Sequence, residues 1–130
     1  VAALKANLLR IDPEAEIEAV DVKLDAVAAR TLFAGCDVVV EALDAVSAKT
    51  MLLGALMPLG LRLVTASGLA GWGRSNAIRL RRMGARVVAV GDGETSVEDA
   101  GMAPVSPRVG IAAAMEANAV VAWLLGLDTP

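Results

Sequence analysis

The sequence predicts an α/β fold: a Rossmann-like three-layer arrangement with a mostly parallel sheet and an antiparallel edge hairpin. Three observations carry that expectation. Two short β-branched runs, Asp37-Val-Val-Val-Glu-Ala42 and Leu61-Arg-Leu-Val-Thr-Ala66, are almost continuously apolar, as strands buried on both faces are. A nearly unbroken apolar helical stretch, 45–59, lies between them, and strand, helix and strand within about 30 residues make a right-handed crossover unit. Further on, Ile78 and Leu80 alternate with Arg79 and Arg81, and Met83-Gly84-Ala85 leads into the apolar run 86–90, which reads as a hairpin.

The other elements follow in chain order. Ala2 to Arg10 has the body of a helix, with Leu4, Leu8 and Ile11 on one side. Glu16-Ile-Glu-Ala-Val-Asp21 alternates as an outer strand of the sheet would. Asp25 is placed to cap a helix running to Phe33, with Gly35 just past its end. The helix 45–59 stops at Pro58-Leu59-Gly60. Ala66 to Asn76 is a glycine-punctuated loop, Gly91 to Pro107 is a long polar loop, and Arg108 to Leu127 closes the chain as a helix. A doubly wound fold opens with a strand and a phosphate-binding turn. This chain opens on a helix at Val1, so residues 1–130 are expected to be the carboxyl-terminal part of one longer domain, without its first strand and Gly-rich loop.

Composition narrows the function classes. The 130 residues are 56% apolar, 21% charged and 2% aromatic, with a mean hydropathy of +0.60, which excludes a disordered chain. Cys36 has no partner in the chain, so a disulfide scaffold and a thiolate zinc site are both excluded. Histidine is absent, which removes His ligands, His general bases and His-headed triads. A net charge of −3 argues against nucleic-acid binding by bulk positive charge. The longest uncharged apolar stretch, Met51 to Leu61, is too short for a membrane span and is broken by Gly54, Pro58 and Gly60. With no secretory signal in view, a cytoplasmic protein is expected.

Several residues invite a chemical reading. Asp44 follows a buried strand, where open α/β sheets place ligands. A carboxylate there suits Mg²⁺ or nucleotide contact, and equally an N-cap for the helix beginning near Ala45. Glu41 ends the same strand, as a supporting or structural acid. Gly68, Gly71 and Gly73 do not have the G-x-G-x-x-G spacing of a dinucleotide loop. Trp72 is either an exposed anchor for a partner or a cap on a core nearly free of aromatics. From Asp44 to Asp92 there is no acid between, while Lys49, Arg62, Arg74, Arg79, Arg81, Arg82 and Arg86 are cationic. As a set they suit a triphosphate or an acidic partner, and singly they suit a solvated face. Glu116 interrupts an apolar helix and should face an arginine or the solvent rim.

Four stretches, in order and over nearly the whole chain, resemble the ThiF/MoeB/HesA adenylyltransferases, relatives of ubiquitin-activating enzymes. Leu4-Lys-Ala-Asn-Leu-Leu-Arg-Ile-Asp-Pro13 resembles their L-x-x-x-L-x-x-I-N-P. Leu32-Phe-Ala-Gly-Cys-Asp-Val-Val-Val-Glu-Ala-Leu-Asp44 resembles L-F-x-x-x-D-x-V-x-D-A-x-D-N, with Ala45 where the pattern has Asn. Val64-Thr-Ala-Ser-Gly-Leu-Ala-Gly-Trp-Gly-Arg-Ser-Asn76 is similar to the A-S-G-x-A-G-x-G-x-S-N of a short ThiF-like subgroup. Pro107-Arg-Val-Gly-Ile-Ala-Ala-Ala-Met-Glu-Ala-Asn118, with Leu124-Leu-Gly126, is similar to that subgroup's last helix.

The resemblance implies an activity: ATP-dependent adenylation of the C-terminal Gly-Gly carboxylate of a ubiquitin-like, ThiS-like sulfur carrier, for thiazole or molybdopterin synthesis. It implies ATP and Mg²⁺ as cofactors, a homodimer, and a Gly-rich ATP loop, ribose-contacting acid and catalytic Arg upstream of Val1. On its terms Asp44 is the Mg-ATP aspartate, with Glu41 beside it. Gly68, Gly71, Trp72, Gly73 and Arg74 border the groove for the carrier tail, because glycine lets an extended tail approach the backbone closely. Gly91 to Pro107 matches the position of the family's crossover loop. Two other readings are kept: a non-catalytic carrier-binding or assembly module, and a dehydrogenase-type NAD(P) domain, for which no fingerprint is present.

Overall fold

The protein, in a computed structural model, is described over residues 1–96 and 101–127. Part of the expected long loop, 97–100, and the last three positions, 128–130, lie outside the described residues. The elements are α1 (Ala2–Ile11), α2 (Ala26–Phe33), β1 (Val38–Glu41), α3 (Val46–Leu56), β2 (Arg62–Ala66), β3 (Arg79–Met83), β4 (Val87–Gly91) and α4 (Ser106–Leu124). Single 3-10 turns follow α3 at Met57–Leu59 and precede β3 at Ser75–Ala77.

The sheet has the order β1-β2-β4-β3. β1 pairs with β2 and β2 with β4 in parallel, while β3 and β4 form the expected antiparallel edge. Alternate residues of each strand feed two separate cores, the reason the strands read as continuously apolar. Val39, Leu63 and Val87 point to one face, where Ala29 of α2 and Leu52, Ala55 and Leu56 of α3 cover them. Val64, Val88 and Val90 point to the other, covered by Ala112, Ala119 and Trp123 of α4. This is the three-layer arrangement that the sequence predicts.

Local chemistry sets the element ends. The Asp25 carboxylate accepts hydrogen bonds from the backbone N–H groups of Val27 and Ala28 at 2.9 and 2.8 Å, the cap expected of it. After Pro58 the chain reverses through Gly60, whose φ of 69° a side chain would resist. One expected element is not formed. Residues 16–21 carry no strand, because a strand needs a hydrogen-bonded neighbour and none of the four strands lies alongside them. They run beside α1 and α2, and with Leu4, Leu8, Phe33 and Leu43 they line an open groove of about 620 Å³. Among the described residues, no helix is long and apolar enough to cross a membrane.

Candidate functional site

The carboxyl ends of β1, β2 and β4 lie side by side, and two different arrangements stand there. At the end of β1, Glu41 is buried and fully engaged. One oxygen accepts from the backbone N–H of Leu43 at 2.5 Å, the other from the Thr65 hydroxyl at 2.5 Å, and Lys49 of α3 bridges both oxygens at 3.0 and 2.9 Å. Glu41 thereby fixes the turn from which Asp44 projects. Asp44 is exposed and makes no hydrogen bond or ion pair among the described residues. Its alternative reading as an N-cap does not hold. The cap position of α3 is Ala45, which offers no side-chain acceptor, so the first turn's N–H groups have no side-chain cap, two residues after the turn that carries Asp44 begins.

Glu116 of α4 also belongs to this end: of the two expected surroundings it meets no arginine among the described residues, and it lies half-buried at the rim of an open groove. One carboxylate oxygen is buried without a hydrogen-bond partner. Burial pushes its pKa up, Lys49 pulls it down and Glu41 adds to the rise. It lines an apolar groove of about 500 Å³ with Val40, Ala42, Ala113 and Ala117.

Beyond β2 the glycine loop is packed against its own chain. A Cβ on Gly68 would collide with the Asp92 carboxylate and the Gly93 backbone, and one on Gly91 with the Ser67 carbonyl oxygen. Gly71 donates its N–H to the Ala103 carbonyl at 2.9 Å, and a Cβ there would lie 2.9 Å from Met102 Sδ. Met102 and Ala103 thus pack against the loop at Gly71. The tip is open on its side-chain face: Trp72 is 71% exposed, so it does not cap the core, and a Cβ added at Gly73 would meet nothing within 4 Å. Arg74 is exposed, pairs with Glu94 at 3.3 Å, and takes a left-handed φ of 46°, rare for a non-glycine residue.

The family model of ThiF matches residues 1–130. The chain belongs to the ThiF family. Among solved structures, it is similar to tRNA N6-threonylcarbamoyladenosine dehydratase TcdA of E. coli in complex with AMP. That match has a TM-score of 0.73 at 16% identity and covers 95% of this chain and 65% of that one. A second structure, TcdA (CsdL), matches with a TM-score of 0.72 at 16% identity, covering 95% and 64%. The chain thus spans a little under two thirds of these neighbours, and at such identity the likeness is one of fold. A comparison with curated proteins finds no match.

In this ThiF-family domain, two functional candidates were not singled out by sequence reasoning: Asp92 and Arg108. Both are buried, and Arg108 Nη2 meets Asp92 Oδ2 at 2.5 Å. Burial raises the Asp92 pKa, but hydrogen bonds from the backbone of Thr95 and Glu94, the Thr95 hydroxyl and Arg108 outweigh it and hold the carboxyl at about 2. The signal was present: an arginine in the first turn of a helix opposes the helix dipole and calls for an acid. Much of the run of cations, though exposed, is engaged with the chain's own carbonyl groups. Arg62 bonds the Trp123 carbonyl at 2.8 Å and lies over its ring, Arg81 reaches the carbonyls of Gly91 and Asp92, and Arg86 bonds the Gly60 carbonyl.

Among the described residues no three acids or cysteines come together to hold a metal. A single open carboxylate fits Mg²⁺ only as it travels with a nucleotide, since that ion takes one or two carboxylates plus phosphate oxygens and waters.

Proposed function

We propose that this chain is part of an ATP-dependent adenylyltransferase that activates the C-terminal Gly-Gly carboxylate of a ubiquitin-like sulfur carrier. The carboxylate oxygen attacks the α-phosphorus of ATP, the bond to pyrophosphate breaks, and an acyl-adenylate results. One observation carries the reading: an unengaged carboxylate, Asp44, stands on a rigid turn beside an uncapped helix N-terminus at the end of a parallel strand. Open N–H groups and the helix dipole favour phosphate. Mg²⁺, when bound with the nucleotide, would be held by Asp44 and would offset charge on the leaving pyrophosphate. Glu41 and Lys49 keep Asp44 in place, and the open tip at Trp72–Arg74 borders the path of an extended tail.

The test is carrier-dependent ATP–pyrophosphate exchange by the full-length protein. Asp44→Asn should lower the rate at least 100-fold with the melting temperature unchanged, since Asp44 has no partner among the described residues. Exchange at the parental rate in Asp44→Asn would remove the metal and nucleotide role. A second reading rests on the AMP-bound neighbour, named for a reaction on tRNA. Exchange stimulated by tRNA and not by a Gly-Gly carrier would favour that substrate class. Carrier binding with no exchange would favour a non-catalytic module, which Ala45 in place of the family's Asn also fits.

A further inference from the structure

Arg108 is 2% exposed and sits in the first turn of α4, where a cation opposes the helix dipole. Its contacts lie far away in the chain. Nη1 donates to the Gly73 carbonyl at 3.0 Å, and Nη2 to the Gly68 carbonyl at 3.3 Å and to Asp92 Oδ2 at 2.5 Å. Gly68 and Gly73 are the two ends of the glycine loop, so one planar guanidinium brackets the loop from beneath. Asp92 orients that guanidinium. Its other contacts, to the N–H groups of Glu94 and Thr95 at 2.9 Å and to the Thr95 hydroxyl, fix the start of the segment that returns over Gly71.

A second observation points the same way. Gly73 and Arg74 are successive left-handed residues, with φ of 62° and 46°. A non-glycine residue holds that conformation only where its surroundings impose it, and such strain gathers at functional sites. The Arg108–Gly73 bond anchors the carbonyl immediately before Arg74. Lysine, a point charge without the planar fork, could not reach both carbonyls and the acid together.

We infer that Arg108, oriented by Asp92, is a positioning residue that sets the shape of the Gly68–Gly73 loop and ties it to the segment after β4, so that the pair governs how well the loop takes an extended Gly-Gly tail. This rests on the carrier reading above. The experiment uses the full-length protein and its Arg108→Lys and Asp92→Asn variants, the second keeping the acid's shape should the first fail to fold. Amide hydrogen exchange is followed at Gly71 and Gly93, which bond to Ala103 and Ser67, with Val88 in the sheet as internal control. Binding is measured for a synthetic peptide ending in Gly-Gly and, separately, for AMP.

The expected result is at least tenfold faster exchange at Gly71 and Gly93 with Val88 unchanged. The peptide Kd should rise at least tenfold while the AMP Kd stays within twofold. Unchanged loop amides, or loosened amides with parental peptide affinity, would overturn the proposal. A parent protein that binds AMP but no Gly-Gly peptide would instead sink the carrier reading, and the exchange data would still decide whether the pair holds the loop.

Discussion

The ends of β1 and β2 are neighbours in one sheet, yet they use polar residues in opposite ways. At β1 the buried acid, Glu41, is satisfied by Lys49, Thr65 and a backbone N–H, and the exposed one, Asp44, is left free. Past β2 the polar capacity is turned inward: Arg108 and Asp92 bind each other and the loop, and Gly68, Gly71 and Gly91 give up side chains so that backbones can touch. Chemistry needs a group with unspent valence, which the first end supplies. The second end is a set of contacts closed on its own backbone.

The comparison breaks most visibly at the buried pair. Arg108→Met leaves the buried Asp92 carboxylate without its counter-charge, still hydrogen-bonded only by Glu94 and Thr95, a loss of about 3 kcal/mol. Adding Asp92→Leu should restore only part of it: the uncompensated charge is removed, but the N–H groups of Glu94 and Thr95 lose their acceptor. Denaturant unfolding of the two single variants and the double variant checks this. At the other end Asp44→Asn should shift stability by less than about 0.5 kcal/mol, as a surface change away from any contact does. Equal losses at both ends would show that the two are not built differently.

Within the closed end, the glycines divide by what surrounds them. Gly68→Ala drives a methyl into Asp92 and the Gly93 backbone and should cost at least ~3 kcal/mol. Gly73→Ala meets open space and costs only its left-handed φ, about 1 kcal/mol. Melting curves of the two variants measured together separate packing from conformation.

Acid should weaken this end selectively. The folded Asp92 carboxyl, at about 2, lies below its ordinary 3.8, so its contribution is complete above pH 4. It is lost as pH falls from 4 towards 2, about 2 kcal/mol in all. In Asp92→Asn that part of the acid profile should vanish. A parent and variant with parallel profiles across this window would mean that Asp92 titrates normally in the fold.

Much of the fold was legible because it rests on one physical signal. Val39, Leu63, Val64, Val87 and Val88 are apolar on both faces of their strands, and only a sheet covered on both sides asks for that. Asp25, Gly60 and the hairpin followed from local rules. The segment at 16–21 misled because alternation reports a tendency to pair, while pairing itself requires a neighbour that no local pattern reveals. Asp44 stood out by its place after a buried strand. Asp92 and Arg108 did not, since they are 16 residues apart and their partnership appears only when α4 folds back on β4. Gly68 and Gly91 read as turn residues for the same reason. Their call for glycine comes from a backbone crossing made in three dimensions.

The open end carries a fault of its own, and Glu116 measures it. Its buried oxygen has no hydrogen bond, and burial and Glu41 push its pKa up against the pull of Lys49. A carboxyl whose folded pKa is raised favours the fold while protonated and loses that advantage as pH climbs above the ordinary 4.5. Glu116→Gln keeps the size and removes the charge. It should therefore stabilise the protein at pH 7 by ~1 kcal/mol and leave it nearly unchanged at pH 4. Thermal unfolding of parent and variant at the two pH values gives the difference directly. Equal effects at both would make the shape of the apolar groove beside Val40, and not the charge, what Glu116 contributes. A loss at pH 7 would mean that the carboxylate is attracted by Lys49 more than burial opposes it. The end bearing Asp44 would then be held together by Lys49 between two acids, as firmly as Arg108 holds the other.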